Sequence, residues 1–198
     1  MGRLADRDSR ETREKILNEA ISVFEVKGYN KTSMRDIQIK AQVSKGTIYY
    51  HFKNKEELFL CCIKKVSEES LKSWKEISSN LQSATDKLYA WTELGIIEMR
   101  SPKTKSLFEY TNQLTETEAG HEHVEGLLKN ELDAVKIIIE EGKDTGEFRK
   151  DLNSHDTSVI LMNLVTGFNE ASLYGYKTLD EQKALGACAV RLFIEGLK

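Results

Sequence analysis

Apolar residues recur along most of the chain at the three- and four-residue spacing of amphipathic helices, and no stretch alternates with the period of two that marks a strand. Ile16, Leu17, Ala20, Ile21 and Phe24 form one such face, predicting a helix from about residue 10 that Gly28 closes as the residue after its C-cap. Ser33 with Asp36 has the outline of a capping box, ahead of a short helix whose Met34, Ile37 and Ala41 share a side. Val43 plugs the following turn, Ser44 caps a third helix, and Asn54 with Glu57 repeats the capping logic for a fourth, to about residue 78. Further starts are read at Ser83 with Asp86, at Ser101-Pro102 (a short helix to about residue 114), at about residue 118, at Asn153 with Asp156, and at Thr178 with Glu181. Residues 144–153 read as a loop. The expectation is an all-α chain: a three-helix helix-turn-helix domain over 1–54, then a helical domain of about six helices over 55–198.

The third helix can be read residue by residue. At about 100° per residue from Ser44, Ile48 falls at about 40° and Phe52 at about 80°, so that side packs inward. Tyr50 lies opposite, at about 240°, with Gly46 and Thr47 beside it and Tyr49 at the margin. Lys45 and Gly46 occupy the first turn, where unpaired N–H groups and the positive end of the helix dipole favour a phosphate. A glycine there also lets the backbone come close to a sugar-phosphate strand. One face packs and the other is free to enter a DNA groove; an ordinary helical hairpin is the alternative reading of the same pattern. Charge favours the groove. Residues 1–55 carry 12 Lys and Arg against 7 Asp and Glu, whereas residues 56–198 carry 17 against 25. A basic head on an acidic body is the asymmetry of a nucleic-acid-binding module attached to something else.

The run GYNKTSMRDI at 28–37, followed by VSKGTIYYHFKNKEEL at 43–58, resembles the N-terminal domain of the TetR family of bacterial transcriptional regulators over about residues 10–60. Two positions depart from that pattern: Gln38 stands where Ala is common and Gln42 where Gly is common. If position 42 needs a positive φ, Gln adopts it at a cost of order 1 kcal/mol. The resemblance implies that Thr32 and Ser33 meet phosphates at the start of the second helix and that Arg35 reaches a phosphate or a base edge. It also implies that Ser44, Lys45, Gly46 and Thr47 lead the recognition helix, that Tyr50 enters the major groove, and that Tyr49, His51 and Lys55 contact the backbone. His51 could equally pack beside the start of the fourth helix.

Composition bounds the remainder. With 198 residues and 39% hydrophobic content, the chain can bury a substantial core. Its N-terminal run lacks the apolar segment of a secretory signal, and Asp6 stands where a myristoylation motif needs Ser or Thr. The longest apolar run, 158–168, is broken by Asn163 and Thr166, so a cytoplasmic protein without a membrane span is expected. Cys61, Cys62 and Cys188 have neither metal nor disulfide spacing and read as reduced thiols packed as small hydrophobes. His121 and His123, two apart on a helix, diverge by about 200°, so neither a metal nor a cofactor is expected.

The last two helices are apolar over most of their circumference and need cover on two sides. Ile160, Leu161, Leu164, Val165 and Phe168 form one stripe; Leu185, Cys188, Ala189, Leu192 and Gly196 form another. The small residues Gly186, Ala187, Ala189 and Gly196 would permit close approach across a twofold axis. A homodimer closed by four helices, with Ile160, Leu164, Phe168, Leu185, Ala189, Leu192 and Gly196 at the interface, is one solution; a buried helix pair inside a monomer is the other. Two reading helices related by such an axis would engage an inverted-repeat operator in double-stranded DNA at a spacing of about 34 Å. By resemblance the body would hold a small-molecule effector, with Trp91, Met99, Phe108, Tyr110, Asn112, Met162, Asn163, Phe168 and Asn169 as candidate lining; ordinary core packing is the alternative for each. Derepression by differential binding would follow, with the fourth helix carrying the change. No Ser/His/Asp order, P-loop, dinucleotide fingerprint or HExxH occurs, so an enzyme is not expected; a helical ligand-binding or adaptor protein that does not touch DNA remains the competing class.

Overall fold

The computed structural model describes the backbone of residues 2–101 and 118–198 and the side chains of residues 7–101, 125, 126 and 128–198. Among these residues there are helices and turns and no strand. They fall into two compact units, residues 2–68 with 118–124 and residues 69–101 with 125–198.

The first unit begins with α1 (Gly2–Lys27), which starts well ahead of residue 10. Ile16 and Leu17 are its first buried side chains among those described. Ahead of them Arg7 and Glu11, one turn apart, form an exposed ion pair at 2.8 Å. Gly28, at φ 73, ends the helix by donating its N–H to the Phe24 carbonyl at 2.8 Å. Then come α2 (Met34–Ala41) and α3 (Lys45–His51). Ser33 and Asp36 make a full capping box: the Asp36 N–H donates to the Ser33 hydroxyl at 3.2 Å and the Ser33 N–H to the Asp36 carboxylate at 2.9 Å. Asp is thus long enough for the reciprocal bond. α4 (Lys55–Ser78) is capped by Asn54, whose side chain accepts from the Glu57 N–H at 2.8 Å. Ile16, Leu17, Ala20 and Phe24 of α1, Ile37 and Ala41 of α2, Ile48 of α3 and Leu58 of α4 are all buried, with α1 packed on α2 and α2 on α3.

The later part of α4 belongs to the second unit, with α5 (Ala84–Met99), α6 (Glu118–Thr145) from residue 125 onward, α7 (Ser154–Thr166) and α8 (Leu179–Glu195). Its main core joins Trp74, Leu88, Trp91, Val135, Ile139, Phe148, Leu161 and Val190. Trp74 and Trp91 meet edge to face with centroids 5.0 Å apart. α7 is shorter than its apolar stripe. Thr166 turns its hydroxyl back to the Met162 carbonyl at 2.9 Å, Gly167 follows, and the chain tightens into a 3-10 helix over Gly167–Tyr174. Phe168 still faces inward, forming a second cluster with Ile96 and Ala171. Gly186 does not serve an approach between chains: a Cβ there would lie 2.2 Å from Ile96 Cδ1, so it lets α8 close on α5 of the same protomer. The helix expected to start at Ser101-Pro102 lies outside the described residues.

Candidate nucleic-acid interface

Ser44 is extended at φ −71, ψ 158, and its hydroxyl accepts from the Thr47 N–H at 3.0 Å, fixing where α3 starts. Ile48 and Phe52 are buried beneath it. What remains outside is a compact surface: Ser44, Lys45, Gly46 and Tyr49 are exposed, Tyr50 keeps 79% of its accessible surface, and Thr47 is half-buried with its hydroxyl 2.8 Å from that of Ser44. A Cβ on Gly46 would meet nothing nearer than the Ser44 hydroxyl at 3.7 Å, so the backbone there is open to an approaching strand. On α2, Ser33 and Arg35 are exposed. The Asp36 carboxylate is held far below its usual range, first by the hydrogen bond from Lys27 and then by those from Ser33.

Other predicted residues are placed differently. Thr32 is 3% exposed, and its hydroxyl donates to the Gly28 carbonyl at 2.7 Å inside the turn that leads to α2. His51 is half-buried, with its ring edge on to Tyr50 at 5.0 Å; burial first, and then the charge of Arg13, pushes its proton affinity down. Lys55 is half-buried and donates to the Tyr29 carbonyl at 3.0 Å. Gln42 does take the left-handed conformation, at φ 54 and ψ 46, where its N–H closes α2 on the carbonyls of Gln38 and Ile39. Gln38 is half-buried.

Two residues of the head were missed. Arg13 reaches Cys61 Sγ with Nη2 at 3.3 Å and lies 5.0 Å from the centre of the Phe52 ring, tying α1 and α4 to the end of α3. The signal was available: Arg13 sits three and four residues before Ile16 and Leu17, on the stripe that faces the core. Ile39 of α2 is the other, a large apolar side chain left exposed.

In the body, Trp91 is buried in the core, and Met99 and Met162 are half-buried. Asn163 and Asn169 are exposed, and Asn163 spends its amide on the Val159 carbonyl at 2.9 Å, so neither is an amide embedded among apolar groups. Phe108, Tyr110 and Asn112 lie outside the described residues, as do the side chains of His121 and His123. Glu98, unsuspected from sequence, is a half-buried carboxylate of α5 that accepts from the Ser70 hydroxyl at 2.6 Å. Burial raises its proton affinity, the Ser70 bond opposes that, and the charge of Glu131 adds to it. Of the stripe assigned to a twofold interface, Ile160 and Leu192 are exposed at 58% and 61%, Gly196 is exposed, Leu164, Leu185 and Ala189 are half-buried, and Phe168 lies in its own protomer's core. Cys62 is buried with its thiol pushed well up by desolvation, Cys61 is half-buried, and Cys188 stands in the open, unlike a packed thiol. Among the described residues there is no group of ligands that could hold a metal and no helix long and apolar enough to cross a membrane.

Two capped short helices on a common core, the second presenting a tyrosine, a lysine and an open glycine, define a helix-turn-helix DNA-binding protein with a helical partner domain. Comparison with known proteins is consistent with this class. Residues 16–62 match the model of the bacterial regulatory proteins of the tetR family, and residues 67–198 match that of the QacR-like protein C-terminal region. The transcriptional regulator QacR of Staphylococcus aureus is 29% identical over 187 residues, covering 93% of this chain and 97% of that protein. Among solved structures, the transcriptional regulator FadR of Bacillus subtilis in complex with stearoyl-CoA superposes with a TM-score of 0.78 at 20% identity, covering 93% of this chain and 99% of that one. A transcriptional regulator of Saccharomonospora viridis in complex with choline gives 0.76 at 20% identity, covering 94% and 96%. The chain belongs to the TetR family. It is a DNA-binding transcriptional regulator and not an enzyme.

Proposed function

We propose that the protein acts in the cytoplasm as a homodimer on an inverted-repeat operator and is released when a small molecule binds its body. The head, residues 1–54, reads DNA; residues 55–198 bind the effector and dimerise. The observation that carries the reading is the exposed Tyr50 beside Lys45 and the open backbone of Gly46, held by the Ser44 cap over a buried Ile48. Tyr50 enters the major groove, and Lys45, Gly46, Thr47 and Tyr49 meet the backbone, joined from α2 by Ser33 and Arg35. Ile160 and Leu192, exposed on α7 and α8, are the surface a second copy would cover, with Leu164, Leu185 and Ala189 beside them.

For the effector, the body offers Met99, Met162 and the Trp74–Trp91 pair, together with Glu98. A carboxylate held above its ordinary range is relieved by a partner with positive charge or a hydrogen-bond donor. The structural neighbours solved in complex with stearoyl-CoA and with choline support a small-molecule site in the body. Ligand binding displaces α4, which runs through both units, and the reading helices lose their spacing.

The test is a footprint on the DNA upstream of the protein's own gene, with and without a panel of cationic and neutral aromatic compounds, alongside sedimentation of the free protein. Protection of two symmetric half-sites about one helical turn apart, lost on adding one compound, is the expected result. A monomer that protects no duplex at low salt overturns it.

A further inference from the structure

Lys55 is the first residue of α4, and its ammonium is engaged within the head. Nζ donates to the Tyr29 carbonyl at 3.0 Å and lies 4.1 Å from the centre of the Tyr29 ring. The same carbonyl accepts the Thr32 backbone N–H at 3.2 Å. Thr32 in turn donates its hydroxyl to the Gly28 carbonyl, closing the turn that delivers Ser33 as the cap of α2. Behind this node the Tyr29 ring is seated against Phe24 of α1 at 6.1 Å and Phe59 of α4 at 4.8 Å, while Phe24 and Phe59 meet edge on at 4.7 Å. An ammonium drawn partly out of water is costly, and burial lowers the proton affinity of Lys55 accordingly. The ring face and the carbonyl are what offset that cost.

α4 follows α3 directly in the chain, through Phe52, Lys53 and Asn54, and the Lys53 N–H donates to the Glu57 carboxylate at 2.8 Å. Nothing in the sequence ties α4 to α2. We propose that Lys55 is a positioning residue that fastens the first turn of α4 to the turn entering α2, so that a displacement of α4 carries both helices of the reading unit together. The ammonium is thereby part of the fold of the head. This assignment rests on the DNA-contact surface proposed above.

Lys55→Met keeps the side-chain stem on the ring and removes the charge and the donor. Tyr29→Leu removes the ring and keeps the carbonyl; Tyr29→Phe, which keeps both, serves as the control. Each full-length variant is titrated against a duplex that the wild type selects from a randomised pool, over a range of salt, and amide exchange is followed in the free protein. In the expected result Lys55→Met and Tyr29→Leu each bind several-fold more weakly at an unchanged salt slope, and the double variant loses less than the product of the two. The Thr32 amide exchanges severalfold faster in both single variants without DNA, and Tyr29→Phe behaves as wild type.

A salt slope shallower by about 0.9 in Lys55→Met, with multiplicative losses and unchanged exchange at Thr32, makes Lys55 a phosphate contact and overturns the proposal. The exchange measurement needs no DNA, so it also decides the matter for a variant that no longer binds. A wild type that selects no duplex sinks the contact surface itself, and this assignment with it.

Discussion

Gly46 in the head and Gly142 in the body are both helical glycines, and they are present for opposite reasons. Around Gly46 a Cβ would have open space, with only the Ser44 hydroxyl at 3.7 Å; at Gly142 it would lie 2.1 Å from the Phe148 ring. Gly95 resembles Gly142, since its Cβ would lie 2.4 Å from Val165 Cγ1. At Gly95 and Gly142 the missing side chain lets elements of the body close on each other, and the Phe148 N–H donates back to the Gly142 carbonyl at 2.9 Å across that closure. At Gly46 the space stays open on the face proposed to meet DNA.

The largest effect that would break this comparison is on stability. Gly142→Ala should cost about 1–3 kcal/mol, because the buried Phe148 ring and the backbone bonded to Gly142 must both shift. Gly46→Ala should leave stability unchanged or raise it by up to about 1 kcal/mol while weakening duplex binding. Urea midpoints decide, and equal losses in the two variants would erase the distinction.

Next comes Tyr50→Ala, expected to lower duplex affinity about tenfold with no change in the unfolding midpoint. Lys45→Ala should instead reduce the salt slope by about 0.9. A stability loss in either would mean that the exposed face is part of the fold.

Glu147→Gln sharpens the body's side of the contrast. That carboxylate accepts from the Ala84 N–H at 2.9 Å and the Thr85 N–H at 3.0 Å, capping α5 from the loop after α6. Burial works against the charged form, yet the bonds from Thr85 and Ala84 hold the group below its ordinary 4.5. The variant should lose about 1 kcal/mol at pH 7. Because the folded-state value is depressed, this contribution is complete above the ordinary value of 4.5, starts to fade below it and is lost as pH falls through the lower folded-state value, so the gap between wild type and variant should narrow below about pH 4.5 and then close. A gap that does not vary with pH would rule out the charged cap.

The smallest effect is at the turn. Gln42→Gly relieves a left-handed residue and should gain about 0.5–1 kcal/mol in thermal or urea unfolding. A loss would show that the Gln42 side chain has a role the backbone does not reveal.

The head was largely legible because its information is local. Ser33, Ser44 and Asn54 each satisfy an N–H group three residues away, and Gly28 ends a helix through its own conformation. The body kept its caps legible, as the Thr178–Glu181 box and the Asn153 cap show. Its site did not follow, because Trp74, Trp91, Leu161 and Val190 are brought together from four helices.

By itself the sequence determined the helices, their caps, the reading unit and the polarity of charge between head and body. A helical period says which residues share a face. It does not say what lies against that face, and this is what the tertiary structure decided. Phe168 turned into its own core while Ile160 remained outside, Gly186 served α5, and Lys55 closed on Tyr29. In each case the partner stands far away in sequence, so its position exists only once the helices have packed.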